Sequence, residues 1–487
     1  MNKEMAGGKR TVIQPSRLGL EQLKEILPLP WTAENARQKI KSLNKQLNRK
    51  VIVLDDDPTG TQTVHDLLVL TRWDIDLLRK AFQQADFIFY ILTNTRSFEP
   101  GKAEEMNREI LKNLTEVAKE QGCSFALINR GDSTLRGHYP LEIDVAVEEW
   151  NQAIKDPIDA HLIIPAFFEG QRYTYDDTHY IKEGNRLTPI SQTEFSKDKA
   201  FGFEKSHLCE WVEEKTKGRI KKEQCTRISI ETLRKGPDSV MNLLLAAKEN
   251  QPIIVNALCY EDLDVLSLAL LQAENQGKRF IYRTASSFIK SYAGIEDQAY
   301  LSKEQMIKTG QDDKGGLVIV GSHVQKTTNQ LQRLLGSRQV TPLEISVQWL
   351  LLPEKRDAEI DRVQAEINVL IGSGKTVVVY TSRELIVAKN QDDNLKISQH
   401  VSQALTKVIQ TLQVAPKFIL AKGGITSSDV ATIGLGIQMA NVIGQAAAGI
   451  PVWLTGEEAK FPHMPYIVFP GNVGDDSTLV ELVEQLA

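Results

Sequence analysis

The stretch Val51–Thr63, which reads VIVLDDDPTGTQT, constrains the fold of this chain more than any other segment. Its first four residues, Val51–Leu54, form an apolar and mostly β-branched run that is typical of a parallel strand buried on both faces. Three carboxylates follow without a gap, at Asp55, Asp56 and Asp57, and a Pro-Thr-Gly turn then ends the strand. Because ligands in open α/β sheets bind beyond the carboxyl ends of the strands, this acidic cluster lies where chemistry is expected. The alternative interpretation is an acidic turn that caps the next helix.

Apolar runs of strand length alternate with amphipathic helical stretches from this strand to the C-terminus. Such alternation predicts βαβ units, and hence an α/β fold with a mostly parallel sheet flanked by helices. The pattern also predicts a helix over Asp429–Ala448, whereas residues 170–203 have neither period and are expected to form a long functional loop. The predicted strands cover residues 51–54, 87–95, 124–134, 161–167, 227–230, 252–256, 279–282, 317–321, 376–382, 417–427, 452–456 and 466–474.

The length of 487 residues is too great for one hydrophobic core, so at least two domains are expected. The polar segment Ile295–Gly316 is the candidate boundary. We therefore predict an N-terminal helical arm over residues 1–48, a first domain over residues 49–311 and a second over residues 312–487. The arm packs either on its own domain or on a partner subunit, which leaves a homodimer open, and residues 1–15 are expected to be loosely attached.

The composition excludes several classes of function. The net charge of −5 argues against a general nucleic-acid or membrane surface. No apolar run approaches the length of a bilayer span, and the N-terminus lacks the apolar region of a secretory signal. The cysteines lie far apart without a CxxC spacing, which argues against a structural zinc site or a disulfide framework and fits a reducing cytoplasm. They are Cys123, Cys209, Cys225 and Cys259. A cytoplasmic protein is therefore expected.

Polar and charged residues follow four successive strands of the first domain. They are Asp55–Asp57, then Asn94 and Arg96, then Arg130, Asp132, Ser133 and Arg136, and finally Glu169 and Arg172. Because the carboxyl ends of parallel strands meet at one edge of a sheet, these side chains are expected to converge. The sequence therefore predicts a site there for a small, polar, anionic molecule.

Three strand ends of the second domain carry glycine or small hydroxyl residues. These turns are Gly321-Ser322, Gly423–Ser428 and Gly471–Gly474. Glycine lets the backbone approach a ligand closely, and amide groups at helix N-termini attract phosphate, so the three turns favour nucleotide binding. The chain has neither GxxxxGK[ST] nor a GxGxxG after its first strand, so it is neither a P-loop protein nor a typical Rossmann dinucleotide enzyme. Lys422 either pairs with phosphate or lies in solvent.

With both sets of strand ends in view, the sequence resembles the four-carbon acid sugar kinase family, which includes threonate, erythronate and 3-oxo-tetronate kinases. The matching motifs occur in the family's order from about residue 51 to the C-terminus. They are Asp56–Gly60 (DDPTG), Asp132–Gly137 (DSTLRG), Pro165–Phe167 with Gly170–Arg172, the loop Gly184–Phe195, Arg283–Ser286, Gly321-Ser322, Gly423–Thr426 and Gly471–Gly474. The chain departs from the family at Thr63, where an Asp is common, and at Asn129–Gly131, where lysines are common. Both departures lie on the substrate side and leave the exact sugar acid open.

The resemblance implies an acid-sugar domain and an ATP domain that face each other across an active-site cleft. The residues that it implies for contact with ATP are Ser322, Gly423, Gly424, Ile425, Thr426 and Gly474. The residues expected in the sugar-acid pocket are Asp56, Asp57, Asp132 and Ser133, together with the arginines Arg136, Arg130 and Arg172. The implied activity is transfer of the ATP γ-phosphate, with Mg²⁺, to the terminal hydroxyl of a four-carbon sugar acid.

Phosphoryl transfer needs charge neutralisation and a group that takes the hydroxyl proton. We expect Asp57 to be that base, with Asp56 as the alternative, and either carboxylate could hold magnesium instead. Arg136 and Arg130 are the candidates for the substrate carboxylate, because a guanidinium group pairs with it bidentately.

Other interpretations stay open from the sequence. His138 and His323 are further candidates for the base, although a hydrogen-bonded loop histidine is the simpler interpretation of each. A sugar-acid dehydrogenase or aldolase is a rival class of enzyme, against which the absence of GxGxxG counts. A non-catalytic sensor of sugar acids and nucleotides is a second rival, but a sensor needs no proton acceptor such as the Asp55–Asp57 cluster.

Overall fold

The computed structural model describes residues 19–57, 59–154, 156–307, 313–322, 324–382, 391–471 and 473–487. The expectations for residues 1–15 and for His323 lie outside these described residues. The strands are β1 (Arg49–Asp55), β2 (Leu67–Leu70), β3 (Ile88–Leu92), β4 (Ser124–Arg130), β5 (Ala160–Ile164), β6 (Arg172–Tyr175), β7 (Thr178–Glu183), β8 (Arg186–Pro189), β9 (Thr226–Ile228), β10 (Gln251–Val255), β11 (Phe280–Thr284), β12 (Leu317–Val320), β13 (Val340–Ile345), β14 (Thr376–Thr381), β15 (Ile419–Lys422), β16 (Met439–Ala447), β17 (Ile450–Thr455) and β18 (Pro465–Phe469). The helices are α1 (Leu20–Ile26), α2 (Ala36–Gln46), α3 (Ile75–Gln84), α4 (Pro100–Glu120), α5 (Leu141–Ala153), α6 (Leu208–Lys215), α7 (Ile230–Leu233), α8 (Pro237–Ala246), α9 (Tyr260–Asn275), α10 (Ser286–Tyr292), α11 (Lys303–Met306), α12 (Gln325–Leu335), α13 (Val347–Leu350), α14 (Pro353–Gly372), α15 (Gln391–Thr411), α16 (Gly424–Asp429) and α17 (Thr478–Leu486).

The predicted α/β fold with two mostly parallel sheets is confirmed, and the two sheets join edge to edge. They form one sheet of 15 strands in the order β13-β14-β12-β15-β18-β17-β16-β2-β3-β1-β4-β11-β5-β10-β9. The N-terminal half, up to residue 307, contributes the parallel strands from β2 to β9. The C-terminal half, from residue 313, contributes the parallel strands from β13 to β18. The antiparallel strands β16 and β17 connect the two groups.

The twist of this sheet determines where the two sets of strand ends meet. Three antiparallel pairs separate the two parallel groups, so in a flat sheet the carboxyl ends of β1 and β15 would point to opposite edges. Neighbouring strands are rotated by about 20–25°, and the six steps from β15 to β1 add up to about 120–150°. This rotation turns both sets of carboxyl ends toward one side, which explains a cavity that is lined from both halves.

The first strand is buried on both faces, as its apolar run predicts. Val51 and Val53 belong to one apolar cluster, which includes residues of α9, while Ile52 and Leu54 belong to a second cluster, which includes residues of α4. Helices therefore cover both sides of β1, as in other parallel sheets. This packing fixes the position of the carboxyl end of β1, where the three carboxylates begin.

The N-terminal arm packs on its own chain. The Nδ2 amide of Asn44 in α2 donates a hydrogen bond to the carbonyl of Tyr292 at 2.6 Å, and Arg37 forms an ion pair with Asp297 at 2.8 Å. Among the described residues, the arm thus packs on its own domain, which is one of the two placements that the sequence left open. Within the described ranges, no helix combines the length and the apolar character that crossing a membrane requires.

The predicted helix over Asp429–Ala448 is wrong. After the short α16, the chain makes a π-helical turn over Val430–Gly434 and then forms β16, which pairs with β2 and β17. Alternate residues of β16 are buried, but a short run of small apolar residues does not distinguish a strand from a buried helix. This strand joins the two halves, so the segment whose structure was wrongly predicted is the one that connects them.

Residues 170–203 were expected to be a long loop without periodic structure, and this prediction is also wrong. The strands β6, β7 and β8 form a separate three-stranded antiparallel sheet, here called the accessory sheet. Asp176 and Asp177 make the turn between β6 and β7 at φ values of 46° and 56°, a left-handed conformation in which Asp is enriched. These strands are too short for their alternation to be recognised in the sequence.

Candidate active site

A cavity of about 470 Å³ lies between the two halves and is here called the cleft cavity. Its lining residues are Asp57, Thr59, Gln62, Arg96, Arg130, Asp132, Ser133, Thr134, Arg136, Phe167, Glu169, Gly170, Gln171, Arg172, Phe195, Lys326, Ala448, Gly449, Val473 and Gly474. A second cavity, of about 570 Å³, lies at the amino ends of β2 and β3. Because open α/β sheets bind ligands at the carboxyl ends of their strands, the cleft cavity is the candidate active site.

Asp57 faces the cleft cavity and is held by an arginine from the turn that follows the neighbouring strand β3. Its Oδ2 accepts a hydrogen bond from Arg96, and its Oδ1 accepts one from the backbone amide of Thr59 at 2.8 Å. Burial alone would raise the pKa of Asp57, but the charges of Arg96 and Arg130 outweigh it, so the pKa lies below its ordinary value. Asp57 is therefore an ionised carboxylate in a fixed orientation at the cavity wall.

The other two carboxylates of the cluster lie behind the cavity wall. Asp56 is 3% exposed, and neither of its carboxylate oxygens has a hydrogen-bond partner among the described residues. Asp55 pairs with Arg130 at 3.4 Å and lies against Gly60, where any β-carbon would overlap its carboxylate. Burial raises the pKa of Asp56 to about 6 and that of Asp55 to about 8. Of the three carboxylates, Asp57 is thus the one that a substrate can reach.

The loop after β4 places Asp132, Ser133 and Arg136 at the cavity, as predicted. The Nε of Arg136 donates to Asp132 at 2.6 Å, and the same guanidinium lies 3.6 Å from a carboxylate oxygen of Asp198. Arg96 also approaches Asp132, at 3.4 Å. Burial raises the pKa of Asp132, but Arg96 and Arg136 together bring it well below its ordinary value. These charges are therefore already compensated within the protein.

Arg172 differs from the other arginines of the cleft cavity. No carboxylate of the described residues forms an ion pair with it, whereas Arg96, Arg130 and Arg136 each have at least two such partners. Its guanidinium donates to the carbonyl of Gly170, and its Nε is buried without a partner. Burial lowers the pKa of Arg172. Among the cavity arginines, Arg172 is thus the one that pairs directly with no carboxylate of the described residues, although the charge of Asp132 acts on it.

Two supporting residues were missed by the sequence analysis. His179 in the accessory sheet donates from Nε2 to the carbonyl of Ser133 at 2.7 Å, while its Nδ1 accepts from the hydroxyl of Thr174 at 2.9 Å. Arg283 donates to the carbonyl of Arg136 at 2.9 Å. Both residues hold the loop after β4 in place. No local signal identifies His179, because its strand was not recognised, whereas Arg283 lies in one of the motifs that carry the resemblance.

His138, an alternative candidate for the base, has a structural role. It is 6% exposed, and its Nε2 lies 3.0 Å from the carbonyl oxygen of Thr95 and 3.1 Å from that of Phe98. A carbonyl accepts and does not donate, so Nε2 carries the proton, and His138 is not among the residues that line the cleft cavity. The simpler interpretation of this residue is the correct one.

The glycine turns of the C-terminal half lie together at the switch point of the strand order. β12 and β15 are neighbours in the sheet. The strands that follow β12 in the chain, β13 and β14, lie on one side of it in the strand order, and β15 lies on the other. A reversal of this kind opens a crevice for a ligand. A β-carbon on Gly321 would lie 2.5 Å from Oγ1 of Thr426, and one on Gly423 would lie 3.0 Å from Cβ of Ser322. Gly423 also has a φ of 115°, which favours glycine.

Of the three remaining members of the predicted nucleotide site, Gly424 begins α16, and the other two differ in position. Ile425 is 66% exposed beside these turns. Gly474 lines the cleft cavity at a φ of 76°, and its carbonyl accepts from Nζ of Lys326 at 3.1 Å. The turn that follows β18 therefore reaches the same cavity as Asp57. The turn after β12 lies close to it, because a β-carbon on Gly471 would lie 3.8 Å from Oγ of Ser322.

Lys422 occupies neither of the two positions considered from the sequence. It is completely buried, and its Nζ donates to the carbonyls of Pro470 at 2.6 Å and Gly471 at 3.3 Å. Burial lowers the pKa of Lys422 to about 7. Lys422 therefore anchors the turn after β18 from below instead of pairing with phosphate or lying in solvent.

The substitution Lys422→Met is expected to weaken binding at the implied nucleotide site about tenfold, because it removes two buried hydrogen bonds, each worth about 1 kcal/mol, that hold the turn. Isothermal titration with a non-hydrolysable ATP analogue measures this change. The matched control is Lys407→Met, at an exposed position of α15. Equal affinity in the two variants would show that the turn does not depend on its anchor.

Two family models match the chain in tandem. A sugar-binding N-terminal domain matches residues 51–292, and a nucleotide-binding C-terminal domain matches residues 317–479. The chain thus combines a sugar-binding and a nucleotide-binding domain around a shared cavity, which is the domain pair of a class of kinases. Within that class, the chain belongs to the four-carbon acid sugar kinase family.

One curated relative and two solved structures are similar to the chain. The D-erythronate kinase of Heliobacterium modesticaldum is 24% identical over 337 residues, which cover 65% of this chain and 67% of the relative. A Salmonella typhimurium LT2 protein described as a putative tRNA synthase has a TM-score of 0.65 at 16% identity. The match covers 90% of this chain and 98% of that protein's chain. A Haemophilus influenzae protein of the family DUF1537 has a TM-score of 0.61 at 17% identity, with coverages of 89% and 99%. At these identities the two solved structures show the fold alone.

Proposed function

We propose that this protein is an ATP-dependent kinase that phosphorylates the terminal hydroxyl of a four-carbon sugar acid of the threonate, erythronate or 3-oxo-tetronate type. The observation that carries the proposal is the composition of the cleft cavity. Asp57 and Arg172 of the sugar-binding half line the same cavity as Lys326 and Gly474 of the nucleotide-binding half. A phosphate held by one half can therefore meet an acceptor held by the other.

In this proposal Arg172 binds the carboxylate of the substrate. The sequence favoured Arg136 and Arg130, but each of these already pairs with protein carboxylates. The charge of Arg172, which pairs directly with no carboxylate of the described residues, and its unpartnered Nε supply what an incoming carboxylate needs, since charge-assisted pairs of this kind are strong. Asp132, Ser133 and Arg136 then line the pocket around the hydroxyl groups.

Asp57 accepts the proton of the attacking hydroxyl. Its carboxylate is ionised, faces the cavity and is oriented by Arg96, which is the geometry that a general base requires before its pKa is considered. Asp56 lies behind it and is 3% exposed, so it supports the charge balance of the site. Because phosphoryl transfer depends mainly on positioning and charge, a base of low pKa suffices.

Residues 312–487 would hold ATP, and residues 49–311 the acid. Ser322, Gly423, Gly424, Ile425, Thr426 and Gly474 are the proposed ATP contacts. Mg²⁺ takes hard oxygen ligands, usually only one or two carboxylates together with phosphate oxygens. Glu169 is a cavity carboxylate that forms no ion pair among the described residues, so the cavity offers a donor that fits the ion. When bound, Mg²⁺ would supply neutralisation of the phosphate charge.

The direct test is incubation of the purified protein with ATP, Mg²⁺ and a panel of tetronates and 3-oxo-tetronates, with ADP measured by a coupled assay. We expect ADP formation that depends on one or a few of these acids and is absent with four-carbon sugars that lack the carboxylate. ATP binding without turnover on any acid would favour the sensor. Oxidation or cleavage of an acid without consumption of ATP would favour a dehydrogenase or an aldolase.

A further inference from the structure

We propose that Asp177, His207, Cys209 and Cys225 form a zinc-binding site that ties the accessory sheet to the N-terminal half. These four residues are here called the Cys-His-Asp cluster. The site lies away from the cleft cavity, whose lining contains none of the four. The proposal therefore does not depend on the kinase assignment.

The cluster brings together three segments that are distant in the sequence. Asp177 comes from the turn between β6 and β7, His207 and Cys209 from the start of α6, and Cys225 from the segment just before β9. One ligand atom each of Asp177, His207 and Cys209 lies within 4.8 Å of the other two. Cys225 is a neighbour of Cys209 but lies outside the group of three, and its thiol is the proposed fourth ligand.

The chemistry of these donors is that of a structural zinc site. Zinc takes four ligands in a tetrahedron, most often thiolates and imidazoles and sometimes a carboxylate, at about 2.0–2.3 Å. Ligand atoms around such an ion are about 3–4 Å apart, so small side-chain movements would bring Asp177, His207 and Cys209 onto one ion, and Cys225 would have to turn toward it. Soft thiolate ligands select zinc over magnesium or calcium.

The surroundings of the cluster already meet two requirements of a metal site. Cys209, Cys225 and Asp177 are all buried, which excludes water from three of the four positions. Asn256 donates to the Oδ1 of Asp177 at 2.8 Å and so orients the other carboxylate oxygen, as outer residues do around metal ligands. The Nε2 of His207 lies 4.0 Å from the Oδ2 of Asp177 and so faces the cluster, while its Nδ1 is buried without a partner among the described residues.

Arg227 is the positive charge that faces the cluster in the absence of a metal. Its Nε lies 3.4 Å from the Oδ2 of Asp177, and its side chain is 50% exposed. An arginine with half of its side chain in water can withdraw into solvent without burying an unpaired charge. This exposed ion pair contributes little to stability. Binding of zinc would replace it with four metal–ligand bonds.

The spacing of the cysteines in the sequence argued against such a site. That argument applies to ligands that are close in the chain, as in CxxC motifs. Here the fold supplies the proximity, because the backbone amide of Leu208 donates to the carbonyl of Asp177 at 2.7 Å and holds α6 against the turn. The four cysteines therefore separate into a pair in the cluster and two outside it, Cys123 and Cys259.

The proposal is tested on the full chain, purified in reducing buffer without a polyhistidine tag and with its zinc content measured after gel filtration. We expect about one zinc per chain in the parent and in the control Cys123→Ser, whose sulfur lies outside the cluster. In Cys209→Ser we expect zinc affinity, measured against a chromophoric chelator, to fall at least about a hundredfold, since loss of an outer residue alone costs 10- to 100-fold. A parent without stoichiometric zinc, or equal affinity in Cys209→Ser, would overturn the site.

A second measurement needs no variant and so stays decisive if Cys209→Ser does not fold. One equivalent of Co²⁺ added to the zinc-depleted parent should give the intense visible bands of a tetrahedral site and a thiolate-to-metal charge-transfer band. Zinc should bleach both sets of bands and raise the temperature of unfolding, because a ligand that binds only the folded state stabilises it. Octahedral cobalt spectra without a thiolate band would contradict the assignment of the cysteines.

Discussion

The substitution Asp57→Asn is expected to lower turnover by at least about two orders of magnitude, the scale of general-base loss, while ATP binding stays intact. The amide keeps the size of the side chain and a contact with Thr59, but it cannot take the proton of the attacking hydroxyl. Steady-state kinetics with the best acid of the panel, together with titration of an ATP analogue, measure both effects. The matched control is Asp76→Asn at an exposed position of α3. Turnover within a few-fold of the parent would remove Asp57 from the mechanism.

The pH dependence of kcat/KM separates Asp57 from Asp56. A base works only when it is deprotonated, so activity is lost as the pH falls through its pKa. Burial raises the pKa of Asp56 to about 6, whereas the charge of Arg96 overcomes burial at Asp57 and lowers its pKa. With Asp57 as the base, kcat/KM should therefore change little between about pH 7 and about pH 5. A tenfold fall for each unit below about pH 6 would assign the proton transfer to Asp56.

The substitution Arg172→Ala is expected to raise the KM for the sugar acid by about 30- to 150-fold, which corresponds to the 2–3 kcal/mol of a charge-assisted hydrogen-bonded pair. The reason is that Arg172 is the cavity arginine without a carboxylate partner among the described residues. The KM for ATP should change little. The matched control is Arg186→Ala, at an exposed position of the accessory sheet.

The outcome for Arg136 decides between the two carboxylate assignments. If Arg136→Ala raises the KM for the acid sharply and Arg172→Ala does not, the carboxylate lies where the sequence placed it. The geometry favours the opposite result, because Arg136 is already bonded to Asp132 at 2.6 Å and also approaches Asp198.

The parts of the fold that depend on local pattern could be predicted from the sequence. The buried run Val51–Leu54 and the carboxylates after it gave both a parallel sheet and the edge at which the site lies. The strand β16 could not be predicted, because its small residues fit a helix equally well and its partner β2 lies more than 350 residues earlier in the chain. The accessory sheet was missed because each of its strands is defined by its pairing with the others, which the sequence of a single strand does not show.

The residues of the candidate site could be predicted from the sequence, but which of them pair with one another could not. Sequence order places Asp57, Arg136 and Arg172 near one edge, yet which arginine pairs with a carboxylate depends on contacts made across several loops. Lys422 shows the same limit, since a lysine at a strand end is normally assigned to solvent or to a ligand. Its burial beneath the turn after β18 follows from tertiary packing alone.

The measurement that tests the central claim most directly is the ³¹P and ¹³C NMR spectrum of the product formed from ATP, Mg²⁺ and the best acid of the panel. If one cavity brings the γ-phosphate to the terminal hydroxyl, the product is a phosphate monoester at the terminal carbon, formed in equal amount to ADP. Free phosphate released regardless of the acid, or an ester at a secondary hydroxyl, would contradict the account.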